Sequence, residues 1–167
     1  MSRLVLIGAP GAGKSTVGKA LSEKLNREFL DTDALIQDST GKTITDIFVV
    51  DGEEAFRAIE LKVLADVLKS ENTVISLGGG APISEQAQRL ITDSQSLVIF
   101  LDVSLATAAP RVGFNRDRPL LLGNPRAQWQ ALSDKRRPIY ERLADVVIKV
   151  DEMDVDAIVT AIVKEAK

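Results

Sequence analysis

The stretch Leu4-Val5-Leu6-Ile7-Gly8-Ala9-Pro10-Gly11-Ala12-Gly13-Lys14-Ser15-Thr16 decides how the rest of the chain is read. Its apolar run stops at Gly8, as expected for a buried parallel strand. Gly8 to Ser15 satisfies G-x-x-x-x-G-K-[ST] at every fixed position, and a helix from about Lys14 to Leu25 follows, with Val17, Leu21 and Leu25 on one face. The glycines let backbone N–H groups converge on phosphate oxygens in conformations that a β-carbon disfavours. The helix that begins at the loop adds its free N–H groups and its dipole. The spacing predicts nucleotide binding by Gly11, Ala12, Gly13, Lys14, Ser15 and Thr16. Lys14 would neutralise the β- and γ-phosphates, and Ser15 would ligate Mg²⁺. The motif does not identify the reaction.

Outward from this loop, strands and helices alternate. Strands are predicted at Phe29–Asp31, Thr73–Leu77, Ser96–Leu101 and Val146–Val150. Helices are predicted from Asp33 to Asp38, Gly52 to Lys69, Ser84 to Ile91, near Ser104, from Arg126 to Leu143, and from Val155 to Lys164. Pro110 is expected to end or kink its helix, and Pro138 to permit a break. The pattern is that of an α/β chain with a parallel sheet covered on both faces. Val112 to Pro125 has no apolar periodicity and carries two glycines, two prolines and two arginines, so it reads as a mobile loop. No repeat, low-complexity segment or linker divides residues 1–167, and a single domain is expected.

Composition narrows the chemistry. The chain has neither Cys nor His, so thiolate chemistry and the commonest general base are excluded. Acid–base work must fall to Asp, Glu, Lys or Tyr. A net charge of −3 argues against a broad nucleic-acid surface. No apolar run reaches bilayer length and no cationic leader opens the chain, so a cytoplasmic protein without membrane association is expected.

Four further clusters can carry chemistry, and each has a plainer reading. Asp31 and Asp33 stand two apart at a strand end, where one carboxylate can support a hydrated metal and the other accept a proton from a hydroxyl. Asp33 equally suits a helix N-cap. Arg57 and Glu60 are three apart on a helix and can meet, as surface ion pairs do. Lys135-Arg136-Arg137 can be a solvated basic face. Gly78-Gly79-Gly80 follows an apolar strand; three glycines suit close approach of backbone to a ligand, or a strained loop.

The order GAPGAGKST, LDTD, the stretch holding Phe56, Arg57, Ile59 and Glu60, SLGGGA, RPLL and KR-x-P-x-Y resembles the shikimate kinase family from Leu4 to about Val150. The resemblance implies a nucleoside-monophosphate-kinase-like three-layer αβα sandwich on a five-stranded parallel sheet, with a lid at about 112–125. It implies transfer of the ATP γ-phosphoryl group to the 3-hydroxyl of shikimate, with Mg²⁺ held by Ser15 and, through water, by Asp31. Lys14, Asp33 and Arg118 are then catalytic, and Arg118 reaches the ATP phosphates from the lid. Asp33, Arg57, Glu60, Gly78, Gly79, Gly80 and Arg136 serve shikimate, the two arginines facing its carboxylate and Glu60 orienting Arg57. Arg111 is similar to an arginine that stacks on adenine. A proline that covers the other adenine face in some members is Val155 here, with Met153 just before it. The partners implied are ATP and shikimate, and a monomer is expected. Two other readings stay open: another small-metabolite kinase, such as a gluconate kinase, and a nucleotide-binding switch, since Asn115-Arg116-Asp117 faintly resembles a guanine-reading motif.

Overall fold

A computed structural model describes residues 3–113 and 124–166. Five strands, β1 (Arg3–Ile7), β2 (Glu28–Asp31), β3 (Thr73–Ser76), β4 (Leu97–Asp102) and β5 (Val146–Lys149), form one sheet in the order β2-β3-β1-β4-β5. Every neighbouring pair is parallel, with Val5 opposite Ile75 on one side and Val98 on the other. Parallel neighbours need crossover connections, and the helices supply them. These are α1 (Lys14–Leu25), α2 (Thr32–Thr40), α3 (Ile44–Asp46), α4 (Glu53–Val67), α5 (Glu85–Asp93), α6 (Leu105–Val112), α7 (Pro125–Leu143) and α8 (Val155–Glu165).

The two-residue period of β1 sorts the core into two layers. Leu4 and Leu6 face one way, into a cluster with Val17 and Leu21 of α1, Ile99 and Leu101 of β4, and Ile158 and Ile162 of α8. Val5 and Ile7 face the other, against Leu64 of α4, Ile91 of α5, Phe100 and Tyr140. All four β1 residues are essentially inaccessible to solvent. That explains why this strand reads as an unbroken apolar run rather than an alternation. A third, smaller cluster of Ile36, Ile47 and Phe56 packs α2 against α4.

Three expectations are corrected. Helix α6 does not end at Pro110 but runs on to Val112. Only the Ala106 carbonyl loses its helical donor, while Ser104 caps the N-terminus through the Thr107 N–H and Gly113 closes the far end on the Ala109 carbonyl. Helix α7 is likewise continuous through Pro138. Tertiary anchors stand on either side of it: Arg137 pairs with Asp102 through two bonds of 2.9 and 2.6 Å, and Tyr140 bonds the Gly79 carbonyl. Between α2 and α4 the chain is helical where no element was predicted, passing from α3 into a π-turn at Ile47–Asp51. Its side chains follow no 3.6-residue apolar period, because Ile47 is buried while Val49 and Val50 stand in solvent.

Candidate active site

The C-terminal ends of β1, β2 and β3 are neighbours, so the segments that leave them share one crevice. The Gly8–Ser15 loop leaves β1 and wraps the start of α1. Gly11 has φ 88°, and a β-carbon there would lie 2.9 Å from Val112 Cγ2 and 3.0 Å from Ala108 Cβ. Glycine is therefore required by both conformation and space. Gly13, at φ 89°, is the N-cap of α1 and offers no side-chain acceptor. The first-turn N–H groups of α1 are thus left for an anion to take.

Lys14 turns its ammonium back over the loop, donating to the Gly8 and Ala9 carbonyls at 2.7 and 3.1 Å. Burial lowers its pKa from 10.5 to about 8, with Arg136 adding to the fall and the carboxylates of Asp33 and Asp31 opposing it. Ser15 donates its hydroxyl to Asp31 Oδ2 at 2.6 Å. The other oxygen of Asp31 accepts from the Asp33 and Ala34 N–H groups at 3.0 and 3.4 Å.

That last contact corrects the cap reading. Asp31, not Asp33, is the N-cap of α2. The helix starts at Thr32, two residues earlier than a cap at Asp33 requires, and Asp33 enters the first helical turn. There its side chain is half-buried, and its pKa is raised by desolvation and by Asp31, against the pull of Lys14 and Arg57.

Arg57 and Glu60 do meet, Nη1 to Oε1 at 2.7 Å, but not as a solvated surface pair: the Glu60 side chain is only 5 % exposed. Burial raises the Glu60 pKa, outweighing Arg57. Arg57 also lies over the rings of Phe56 and Phe48 and 3.5 Å from Glu53. Its planar group is therefore held from several sides. Arg136 is buried on α7 rather than part of a solvated face, whereas Lys135 beside it is exposed.

The three glycines after β3 explain how these groups approach one another. None has a positive φ, so the strained-loop reading falls. A β-carbon on Gly78 would lie 2.7 Å from Asp33 Oδ1, one on Gly79 3.2 Å from Arg136 Nη1, and one on Gly80 would land on the Arg57 guanidinium. Each glycine vacates the space that one functional side chain occupies.

One cleft of about 710 Å³ is lined by the Pro10–Val17 loop and helix start, Asp31, Asp33, Gly78 and Gly79, and by Arg111, Met153 and Val155. Arg111, in the last turn of α6, donates to the Gly11 carbonyl at 3.1 Å, so the helix that passes Pro110 delivers it beside the loop. A second hollow of about 620 Å³ is lined by Arg57, Glu60, Gly80 and Arg136. Arg118, with most of the expected lid, lies outside the described residues.

The site fits a hard divalent cation in one respect. A hydroxyl oxygen and a carboxylate oxygen converge at the mouth of the loop, the donor chemistry Mg²⁺ accepts. Among the described residues no cluster of three or more metal-ligating side chains exists. Such an ion would therefore take most of its ligands from phosphate and water, as Mg²⁺ does at nucleotide sites.

Three contacts had no counterpart in the sequence reading. Trp129 donates its indole N–H to the Pro10 carbonyl at 2.9 Å, pinning the loop from α7. Tyr140 donates to the Gly79 carbonyl at 2.6 Å. Thr32 accepts the Gly78 N–H at 3.1 Å. Thr32 and Tyr140 stood within quoted motifs, LDTD and KR-x-P-x-Y, and nothing in either announced its partner.

Comparison with known proteins agrees with this geometry. A family model described as shikimate kinase matches residues 10–167. A shikimate kinase of Thermobifida fusca is 50 % identical over 161 residues, covering 96 % of this chain and 92 % of the relative. One from Rhodococcus erythropolis is 45 % identical over 150 residues, covering 89 % and 88 %. Among solved structures, the shikimate kinase from Acinetobacter baumannii in complex with shikimate superposes with a TM-score of 0.94 at 32 % identity, covering 99 % of this chain and 93 % of that one. A deoxyadenosine kinase from M. mycoides with bound dCTP, at 21 % identity and a TM-score of 0.65 over 98 % of both chains, shares the fold.

Proposed function

The chain belongs to the shikimate kinase family, and from that premise we propose how its residues transfer the ATP γ-phosphoryl group to the 3-hydroxyl of shikimate, giving shikimate 3-phosphate and ADP. It is an ATP-dependent phosphotransferase acting on an alcohol group. The observation that carries the residue assignments is the convergence of Lys14, Asp33, Arg57 and Arg136 around Gly78–Gly80. Phosphoryl transfer asks little covalent chemistry of a protein and much positioning and charge neutralisation. Three cations near a half-buried carboxylate, beside a phosphate loop, meet that demand.

In this reading the α1 N–H groups, Lys14 and Thr16 hold the nucleotide phosphates. Lys14 leaves the Gly8 and Ala9 carbonyls to face charge that grows on the transferring group. Ser15 holds Mg²⁺ directly and Asp31 through water. The ion, when bound, neutralises β- and γ-phosphate charge. The Arg57 and Arg136 forks take the shikimate carboxylate, with Glu60 fixing the plane of Arg57. Gly79 allows the close approach. Asp33 accepts the proton of the attacking hydroxyl as the oxygen–phosphorus bond forms and the bond to the ADP oxygen breaks. Its raised pKa makes it a better acceptor than an ordinary carboxylate. Arg111, Met153 and Val155 border the space for the base, and Arg118 is assigned to the phosphates on motif resemblance. A monomer is proposed as the catalytic unit. ATP as cosubstrate supports a cytoplasmic location.

A coupled ADP-release assay across a panel of hydroxy acids tests the reading. ADP release should depend on shikimate. Faster turnover of gluconate than of shikimate would overturn it.

A further inference from the structure

Helix α7 buries a stripe made of Trp129, Ser133, Arg136 and Tyr140. Arg136 and Tyr140 are one turn apart on that face. The Tyr140 ring is 1 % exposed and packs against Phe100 at 5.1 Å between centroids, so its direction is set by the core. Its hydroxyl reaches the Gly79 carbonyl at 2.6 Å. Burial pushes its pKa up, so it stays protonated and remains a donor at neutral pH.

The Gly79–Gly80 peptide has need of a restraint. A trans peptide is planar, so the Gly79 carbonyl and the Gly80 N–H point in opposite directions and turn together. The two residues flanking this unit are both glycines, which restrict its rotation least. The same peptide borders both cations, since Arg136 Nη1 crowds the empty β-position of Gly79 and the Arg57 guanidinium fills that of Gly80. A flip would break the Tyr140–Gly79 bond and reorient the backbone beside both cations. Arg136 is also a charged neighbour of the same hydroxyl.

We propose that the Tyr140 hydroxyl is a positioning group for the acceptor substrate, holding the Gly79–Gly80 peptide in one orientation and the Arg136 fork beside it. Tyr140 touches no reacting atom and acts through its two neighbours. Its influence is expected mainly on the acceptor side, because the nucleotide loop is pinned to α7 by a different residue, Trp129.

The inference rests on shikimate being the acceptor, and its test separates the two ideas. Tyr140→Phe keeps the ring and its packing and removes only the O–H. The KM for shikimate should rise roughly fivefold, the effect of one lost hydrogen bond, while the KM for ATP changes by less than about twofold. Relaxation dispersion on the Gly79 and Gly80 amides should reveal microsecond-to-millisecond exchange in the variant that wild type lacks. Equal rises in both KM values, or an unchanged shikimate KM with flat dispersion, would overturn the role of Tyr140. Wild type without shikimate-dependent ADP release would instead sink the acceptor assignment on which it rests.

Discussion

The two halves of the site are built by opposite strategies. The proposed nucleotide half is centred on a contiguous segment, Gly8 to Thr16, whose positive-φ glycines and uncapped helix start offer backbone to a ligand. The acceptor half is assembled from four separated places: Asp33 after β2, Arg57 and Glu60 on α4, Gly78–Gly80 after β3, and Arg136 on α7. The first half is local and needs one strand and one helix. The second exists only when β3 lies between β2 and β1 and α7 packs across the end of the sheet. Backbone recognition of phosphate can therefore survive a change of acceptor, while the acceptor site depends on the whole fold.

Perturbations that strike one half and spare the other sharpen this contrast. The largest effect is expected from Lys14→Ala, which removes charge from the transferring phosphoryl group. The kcat should fall roughly 10²–10³-fold. In wild type, Lys14 loses its proton as pH rises through about 8, so ATP affinity should weaken above that pH. The variant should show no such dependence in a calorimetric titration. A variant that turned over normally would remove Lys14 from the mechanism.

Asp33→Asn should lower kcat about a hundredfold and at the same time raise the melting temperature of the unliganded protein. The sign follows from linkage. Folding raises the Asp33 pKa above 3.8, so the folded state holds this proton more tightly than the unfolded state. Stability therefore falls as pH rises from the ordinary Asp value through the raised one, and the ionised carboxylate remains a cost at neutral pH. Calorimetry at pH 7 would contradict this if the variant melted lower. By the same shift, the acid limb of kcat/KM should lie above the usual Asp range.

Arg136→Lys trades a planar fork for a point charge. Shikimate affinity should drop about tenfold and ATP affinity by less than about twofold. An analogue lacking the carboxylate should be nearly indifferent to the change. Parallel losses for both substrates would mean that α7 had moved, and the two halves would not be separable there.

The smallest effect is expected at the Lys42–Asp51 ion pair, which joins two exposed side chains at 2.9 Å across the turn between α2 and α4. Lys42→Ala should change stability by less than ~1 kcal/mol and leave both KM values unaltered. A large kinetic effect there would extend the acceptor half to the surface of this turn.

What was legible in the chain follows the same division. The strand–loop–helix around Lys14 could be read because its signals lie within one segment. The parallel sheet could be read because each buried strand is an apolar run between turn residues. The acceptor groups were named on the resemblance of motifs, since spacing alone left Arg57, Glu60 and Arg136 as ordinary surface charges. Their burial is tertiary, and no local pattern encodes it. Asp31 rather than Asp33 is the cap because the helix starts directly after the strand, two residues earlier than a cap at Asp33 requires. Pro110 misled because a single missing N–H costs little in a helix fixed at both ends. Trp129 and Tyr140 were missed as loop anchors because their acceptors, the Pro10 and Gly79 carbonyls, lie 119 and 61 residues away, and a carbonyl carries no sequence signature.

Gly78, Gly79 and Gly80 have a consequence beyond their own conformations. The tripeptide is the negative cast of three other side chains, so it offers three separate addresses within the site. A methyl group added at Gly78 would press on Asp33, at Gly79 on Arg136 and Pro10, and at Gly80 on Arg57. Each displaces a functional group while leaving its chemistry intact. A run of identical residues, the least informative kind of sequence, thereby stores the positions of the proposed proton acceptor and of both proposed carboxylate-binding cations.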